Sequence, residues 1–242
     1  MSTAIDHLSH SQVTTFVSCP RKWRYEKIDH APRERTPAAL AFGIAIHDAA
    51  AQVNEAALVG DSVDGPAAFV KAWTEQVAQA QAPIHYGKDD ADDLMAKGRG
   101  MLAIYQPPAG IVGVEQPFSV ILDPDLPPVE GRIDLITRTT AGDLALADLK
   151  SAGTKTLTDT TAAEAQLALY QVAYPAKEHA VIVLGKLKTP TVTTQAITPL
   201  PHATLVRHYR EVYAAMRSGT RYAVRGWHCD GCPFATRCAK ET

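Results

Sequence analysis

Four cysteines, divided between the two ends of the chain, constrain the fold more than any other feature. Cys19 lies near the N-terminus, whereas Cys229, Cys232 and Cys238 form a C-x2-C-x5-C group close to the C-terminus. Four thiolates are the complement of one tetrahedral zinc ion or one cubic iron–sulfur cluster. Cys19-Pro20 and Cys232-Pro233 each carry a proline after the cysteine, a pairing also met in cluster loops. His228, beside Cys229, is an alternative ligand. If the four bind one group, the first helix must meet the last segment, and the chain closes a loop of more than ~200 residues. Composition alone does not separate zinc from iron–sulfur.

Between these ends the hydrophobic period changes once. Ser9–Ile28 reads as one capped helix carrying Phe16, Trp23 and Tyr25, with Ser9 or Ser11 as the cap. Ala38–Leu58 is Ala-rich and helical, and Pro66–Gln81 and Asp89–Tyr105 follow as helices before the Pro107-Pro108-Ala109-Gly110 break. From there Ile111–Leu122, Val129–Arg138 and Leu144–Lys150 are rich in Val, Ile and Leu, which predicts strands. Thr158–Tyr174 reads as a helix, His179–Leu187 and Thr191–Ile197 as strands, and Pro201–Ser218 as a last helix before an irregular Cys-rich end. The expectation is an α/β fold: a central mixed sheet flanked by helices, with a helical N-terminal elaboration. One domain over 1–242 is expected, helical to about 110, sheet core to about 200, then the C-terminal helix and cysteine segment.

Apolar residues make up 46% and charged ones 21%, the balance of a globular rather than a disordered chain. No apolar run reaches ~18 residues, so no membrane span is expected. The polar start lacks a basic region followed by an apolar one, which argues against a secretory signal and for a cytoplasmic setting. There cysteines bind metal or do chemistry more often than they form disulfides. The net charge of −2 does not announce a nucleic-acid binder, but the charges are uneven. Arg21, Lys22, Arg24, Lys27, Arg33 and Arg35 crowd one stretch, Arg207, Arg210, Arg217, Arg221, Arg225 and Arg237 line the C-terminal part, and acids gather in Lys88–Asp93. Basic flanks for phosphate around an acidic cutting centre would have this distribution; so would solvated helix faces.

The chemistry concentrates in Gly131-Arg132-Ile133-Asp134 and Leu146-Ala147-Asp148-Leu149-Lys150, on two strands joined by a tight turn. The hairpin brings Asp134 and Asp148 together, expectedly at the strand ends. An acid in an apolar strand is costly unless paired or bound to a cation. Asp148 and Lys150, two apart, share a face. Two carboxylates beside a lysine make a divalent-metal site, and Mg²⁺ or Mn²⁺ bound to oxygen ligands drives phosphodiester hydrolysis. Gln166 and Tyr170, four apart on the next helix, share a face that can reach over the site to a phosphate or to Lys150. His47, after Phe42-Gly43, would favour Mn²⁺ if its imidazole joined the carboxylates.

In this order the landmarks match a known family. The chain resembles the RecB-like branch of the PD-(D/E)XK nucleases, above all the CRISPR-associated RecB-type iron–sulfur exonucleases and AddB-type nuclease domains. Ser9-His10-Ser11 through Cys19-Pro20-Arg21-Lys22-Trp23 is similar to the family's opening helix, and Gly43 to His47 to its Gly-x-x-x-His motif. Gly131–Asp134 and Asp148-Leu149-Lys150 resemble the acidic motifs, Gln166 to Tyr170 the Gln-x-x-x-Tyr motif, and Cys229, Cys232 and Cys238 the C-terminal cluster spacing. The resemblance implies a restriction-endonuclease-like core, a C-terminal iron–sulfur segment with a [4Fe–4S] cluster on the four cysteines, and DNA, as single strands or ends, as substrate. It implies that His47, Asp134, Asp148 and the Leu149 carbonyl hold Mn²⁺ or Mg²⁺, with Lys150, Gln166 and Tyr170 completing the catalytic set. Glu115 stands where the family often has an acid. A prokaryotic or phage-infected cell is the implied setting, with recombination, repair or CRISPR adaptation proteins as partners. A rival reading is a non-catalytic DNA-binding or assembly module clipped by cluster or zinc; a binding module need not keep Asp134, Asp148 and Lys150 together. No G-x-x-x-x-G-K-[ST] phosphate loop is present, so a helicase motor would be a separate chain.

Overall fold

Pro20 splits the helix expected over Ser9–Ile28. The computed structural model describes residues 5–241; the first four residues of the polar start and Thr242 lie outside this range. In it, α1 (His10–Ser18) and α2 (Pro20–Lys27) are separate helices, with Cys19 extended between them at φ −163°. The residue before a proline is driven out of the helical region, and proline suits the first position of a new helix. Ser9 caps α1, accepting from the Gln12 amide at 3.2 Å.

The remaining elements are β1 (Thr36–Pro37), α3 (Ala38–Leu58), α4 (Gly65–Ala78), β2 (Ile84–His85), α5 (Ala91–Ile104), β3 (Ile111–Val120), β4 (Val129–Arg138), β5 (Leu144–Ala152), α6 (Thr161–Ala173), β6 (Glu178–Gly185), β7 (Thr191–Ala196), α7 (His202–Arg217) and α8 (Ala235–Lys240). The main sheet runs β3-β4-β5-β6-β7. Within this sheet β5 and β6 form the parallel pair, and α6 makes the crossover that such a pair requires. The expected α/β architecture, a mixed sheet between helices, is therefore what the chain forms.

Side chains of β5 and β6 alternate between two apolar layers. Leu149, Ile182 and Leu184 face the layer of α3, α4 and α5 around Phe42, Ile46 and Phe69. Leu146, Val181 and Val183 face α6 through Leu167 and Tyr170. Beside α6, a further cluster joins Leu8, Phe16 and Trp23 to Leu205, Tyr209 and Met216 of α7. The N-terminal helices thus divide between the two faces. Helix packing is tightest at Gly98 of α5, where a Cβ would fall 2.0 Å from Phe69 Cζ.

The acid run at 89–93 is structural. Asp90 caps α5, accepting from the Asp93 amide at 2.7 Å, and Asp89 pairs with Lys186 at 3.2 Å. Several of the clustered arginines are likewise engaged within the protein: Arg24 with Asp29, Arg33 with Glu26, and Arg210 with Asp123 and Asp125. Among the described residues, no helix is long and apolar enough to cross a membrane.

Candidate active site

Asp134 and Asp148 lie in the middle of β4 and β5, not at their ends. They stand where the two strands part, since the β4–β5 ladder stops at the Leu135–Ala147 pair. Parting frees the Leu149 amide, which donates to Asp134 Oδ2 at 2.7 Å. Asp148 is fully buried. Lys150 Nζ stands 3.0 Å from its Oδ2 and donates at 3.3 Å to Oδ1, yet Oδ2 accepts no aligned hydrogen bond. A buried carboxylate oxygen beside a charge, with a lone pair unused, is a donor atom suited to a cation.

Helix α3 supplies the opposite wall. His47, Ala50, Ala51 and Asn54 fall on one face by helical spacing and line a narrow recess with Glu115, Asp134 and Leu149. The alanines leave room beside the imidazole. His47 Nδ1 is 3.5 Å from Asp134 Oδ2. Ligand atoms of His47, Glu115 and Asp134 all lie within 4.8 Å of one another. Glu115 sits on β3 between the Val114–Leu135 and Gln116–Ile133 pairs, hence opposite Asp134. Its φ of 47° is left-handed, a strained setting for a residue with a side chain. Sequence reading gave Glu115 no firm role; the β3–β4 register is what brings it to His47.

Gln166 and Tyr170 close the other side. Lys150 Nζ donates to Gln166 Oε1 at 2.9 Å, and Gln166 Nε2 donates to Tyr170 Oη at 2.9 Å. The Tyr170 hydroxyl lies 3.4 Å from Oδ1 of both Asp134 and Asp148. The i, i+4 spacing therefore builds one hydrogen-bonded chain from the lysine to both acids.

Burial sets the electrostatics. It raises the Asp148 carboxyl to about 6, with Lys150 opposing and Asp134 adding to the rise. It raises Asp134 too, against the Leu149 amide and Lys150. Glu115 is pushed up to about 7 by burial and then by Asp134. Burial lowers His47 and so favours the neutral imidazole that a metal needs. Crowded acids that resist ionising alone, next to a neutral histidine, are the electrostatic signature of a cation site.

Apart from this centre, Cys19, Cys229, Cys232 and Cys238 all line one cavity of about 280 Å³, beside Arg21, Lys22 and Tyr25. The two ends of the chain therefore do meet. The sulfurs are not drawn into a compact group: among the described residues, no three come within 4.8 Å of one another.

The family description "PD-(D/E)XK nuclease superfamily" matches residues 7–239 of the chain. No curated protein matches it in sequence. Solved structures that share its fold include the following two. SSO0001 is 14% identical with a TM-score of 0.51, over 100% of this chain and 90% of that one. A candidate exonuclease from Eubacterium rectale is 11% identical with a TM-score of 0.60, over 98% of this chain and 88% of that one.

Proposed function

Because the chain belongs to the PD-(D/E)XK nuclease superfamily, we propose that it is a metal-dependent deoxyribonuclease of the RecB-like branch, acting as an exonuclease on single-stranded DNA or DNA ends. One observation carries this reading: His47, Glu115 and Asp134 converge beside a buried Asp148 that is ion-paired to Lys150. A binding module has no use for such a costly buried arrangement.

The donor set fits Mn²⁺ or Mg²⁺, with the imidazole favouring Mn²⁺. His47, Asp134 and Asp148 would hold the ion, and the Leu149 carbonyl and Glu115 border the same recess. A divalent cation there supplies positive charge against the phosphate and makes water easier to deprotonate. Lys150 orients the attacking water and meets the charge that grows on the pentacovalent phosphoryl oxygens. Gln166 holds Lys150 at 2.9 Å, so the ammonium is set before substrate arrives. Tyr170 ties that amide to the two acids.

The cysteine cavity is assigned to a [4Fe–4S] cluster. Four cysteines from the two ends of the chain line one cavity, a complement that fits a cubic cluster as it fits tetrahedral zinc, and the family resemblance favours the cluster. Absorbance near ~400 nm in anaerobically purified protein supports this; a colourless protein with stoichiometric zinc overturns it.

Digestion of end-labelled single- and double-stranded DNA with Mn²⁺ or Mg²⁺ tests the function. Turnover that survives intact in Asp148→Ala or Lys150→Ala refutes the site, and metal-insensitive binding without cleavage refutes the enzyme.

A further inference from the structure

On the Lys150 side of the acids lies a cavity of about 430 Å³, within the range of ligand sites. Lys150, Gln166 and Tyr170 form one wall, and no role above uses His10, Ser11 or Arg132. The other walls include His10 and Ser11 from the start of α1 and Arg132 of β4. An isolated bridge places them there. Leu8 pairs with Val129, donating to Pro128 O at 2.9 Å while the Glu130 amide donates to Leu8 O at 2.8 Å. That lays the first turn of α1 along Gly131 and Arg132.

Two features of the lining call for a ligand. The Arg132 guanidinium is exposed and takes part in no hydrogen bond or ion pair among the described residues. Its charge reaches Glu115, where it opposes the effect of burial. His10 Nδ1 is buried and has no hydrogen-bond partner. Burial, then the charges of Lys150 and His208, push His10 down to about 4, so at neutral pH its ring brings a donor and an acceptor but no charge. Ser11 adds a hydroxyl whose contact is Ser9 Oγ at 3.0 Å. The lining holds one acid, Glu130, against two cations, Arg132 and Lys150.

We propose that this cavity is a second phosphate subsite, in which Arg132, with His10 and Ser11, holds the backbone phosphate next to the scissile one. Its place beside the cut rests on the nuclease reading above; the anion site itself does not. Arg132 and His10 are positioning residues here. They fix the strand so that the neighbouring phosphate faces Lys150.

Two measurements on the full chain test this. The first is metal-free binding of an oligothymidylate across a salt series. Loss of one phosphate contact on a single strand lowers the slope of log K against log salt by about 0.7. Arg132→Ala is expected to show that drop and Arg132→Lys to keep the wild-type slope; an unchanged slope in Arg132→Ala overturns the subsite. The second walks a single neutral methylphosphonate along the oligonucleotide in the presence of Mn²⁺. Next to the cut it should raise KM about tenfold in wild type, as expected for a lost charge-assisted hydrogen bond, and do nothing further in Arg132→Ala. An equal penalty in both proteins overturns the assignment. Absence of turnover in wild type defeats the nuclease reading, while the salt slope still decides the subsite.

Discussion

Gln166 accepts a 2.9 Å hydrogen bond from Lys150 Nζ through Oε1, and that contact fixes the whole amide. A lysine ammonium only donates, so the carbonyl oxygen must face it and the amide nitrogen must face Tyr170. Donors then run in one direction, from lysine to amide to phenol to carboxylates, and each bond polarises the next. Gln166→Ala leaves Lys150 held by Asp148 alone. The expected result is a kcat lower by about 10–100-fold with KM changed far less, as for a misplaced catalytic group. Single-turnover rates with Mn²⁺ check this; a loss confined to KM would place Gln166 on the substrate instead.

Asp148 makes the metal-free protein sensitive to pH in an unusual sense. Burial raises its carboxyl to about 6, against about 3.9 in an unfolded chain. Between those values the folded state binds more protons than the unfolded one, so stability falls as pH rises from about 4 to about 6 and levels off above. Asp134 and Glu115, raised as well, act with the same sign. Burial lowers His10 and His47, which act with the opposite sign. The readout is therefore the difference in urea midpoint between metal-free wild type and Asp148→Asn, which should shift against wild type as pH rises over this range. Metal binding needs the acids ionised, so the stabilisation by Mn²⁺ should grow with pH over the same interval. A difference that shifts in favour of wild type as pH rises contradicts the burial argument.

What could be read from the sequence followed from short periodicities. The two-residue period placed Asp148 and Lys150 on one face, and the four-residue period placed Gln166 beside Tyr170, because each relation is internal to one element. Relations between elements were less legible. Glu115 reaches His47 only through the β3–β4 register and a left-handed backbone that no local pattern announces. His10 and Arg132 come to line one cavity through a single bridge at Leu8. The signal for the Cys19 break was present, since Pro20 stops a helix, but that dipeptide was read for its thiol and not for its backbone. The acids of 89–93 take the plainer of the two readings their charge allows, a helix cap and an ion pair.

Gly98 tests the helical layer that carries His47. A Cβ there would fall 2.0 Å from Phe69 Cζ, and Phe69 stacks on Trp73 and meets Phe42 edge-on. A ring between two aromatic neighbours has little room to retreat. Gly98→Ala is therefore destabilising despite the better helix propensity of alanine, by about 1–3 kcal/mol. For a chain of this size that is a fall in Tm of about 3–10 °C by calorimetry. A Tm that rises would show that α5 can move away from Phe69.

Glu34 holds the cysteine segment to the N-terminal stretch without any metal. Its carboxylate accepts from the Thr236 and Arg237 amides at 2.9 and 2.8 Å, capping α8 from two hundred residues away in sequence, and its own amide donates to Pro233 O at 2.8 Å. Phe234 packs on Tyr25 at 5.3 Å in the same contact. A carboxylate at a helix start satisfies amides that would otherwise lack partners. The segment should stay docked when the cysteines are empty, and Glu34→Ala should loosen it. Limited proteolysis of protein stripped of metal is the measurement, with clipping near 225–241 expected about fivefold faster in Glu34→Ala, the effect of a lost cap of about 1 kcal/mol. Equal clipping in the two stripped proteins would mean that the Glu34 contact does not hold the segment.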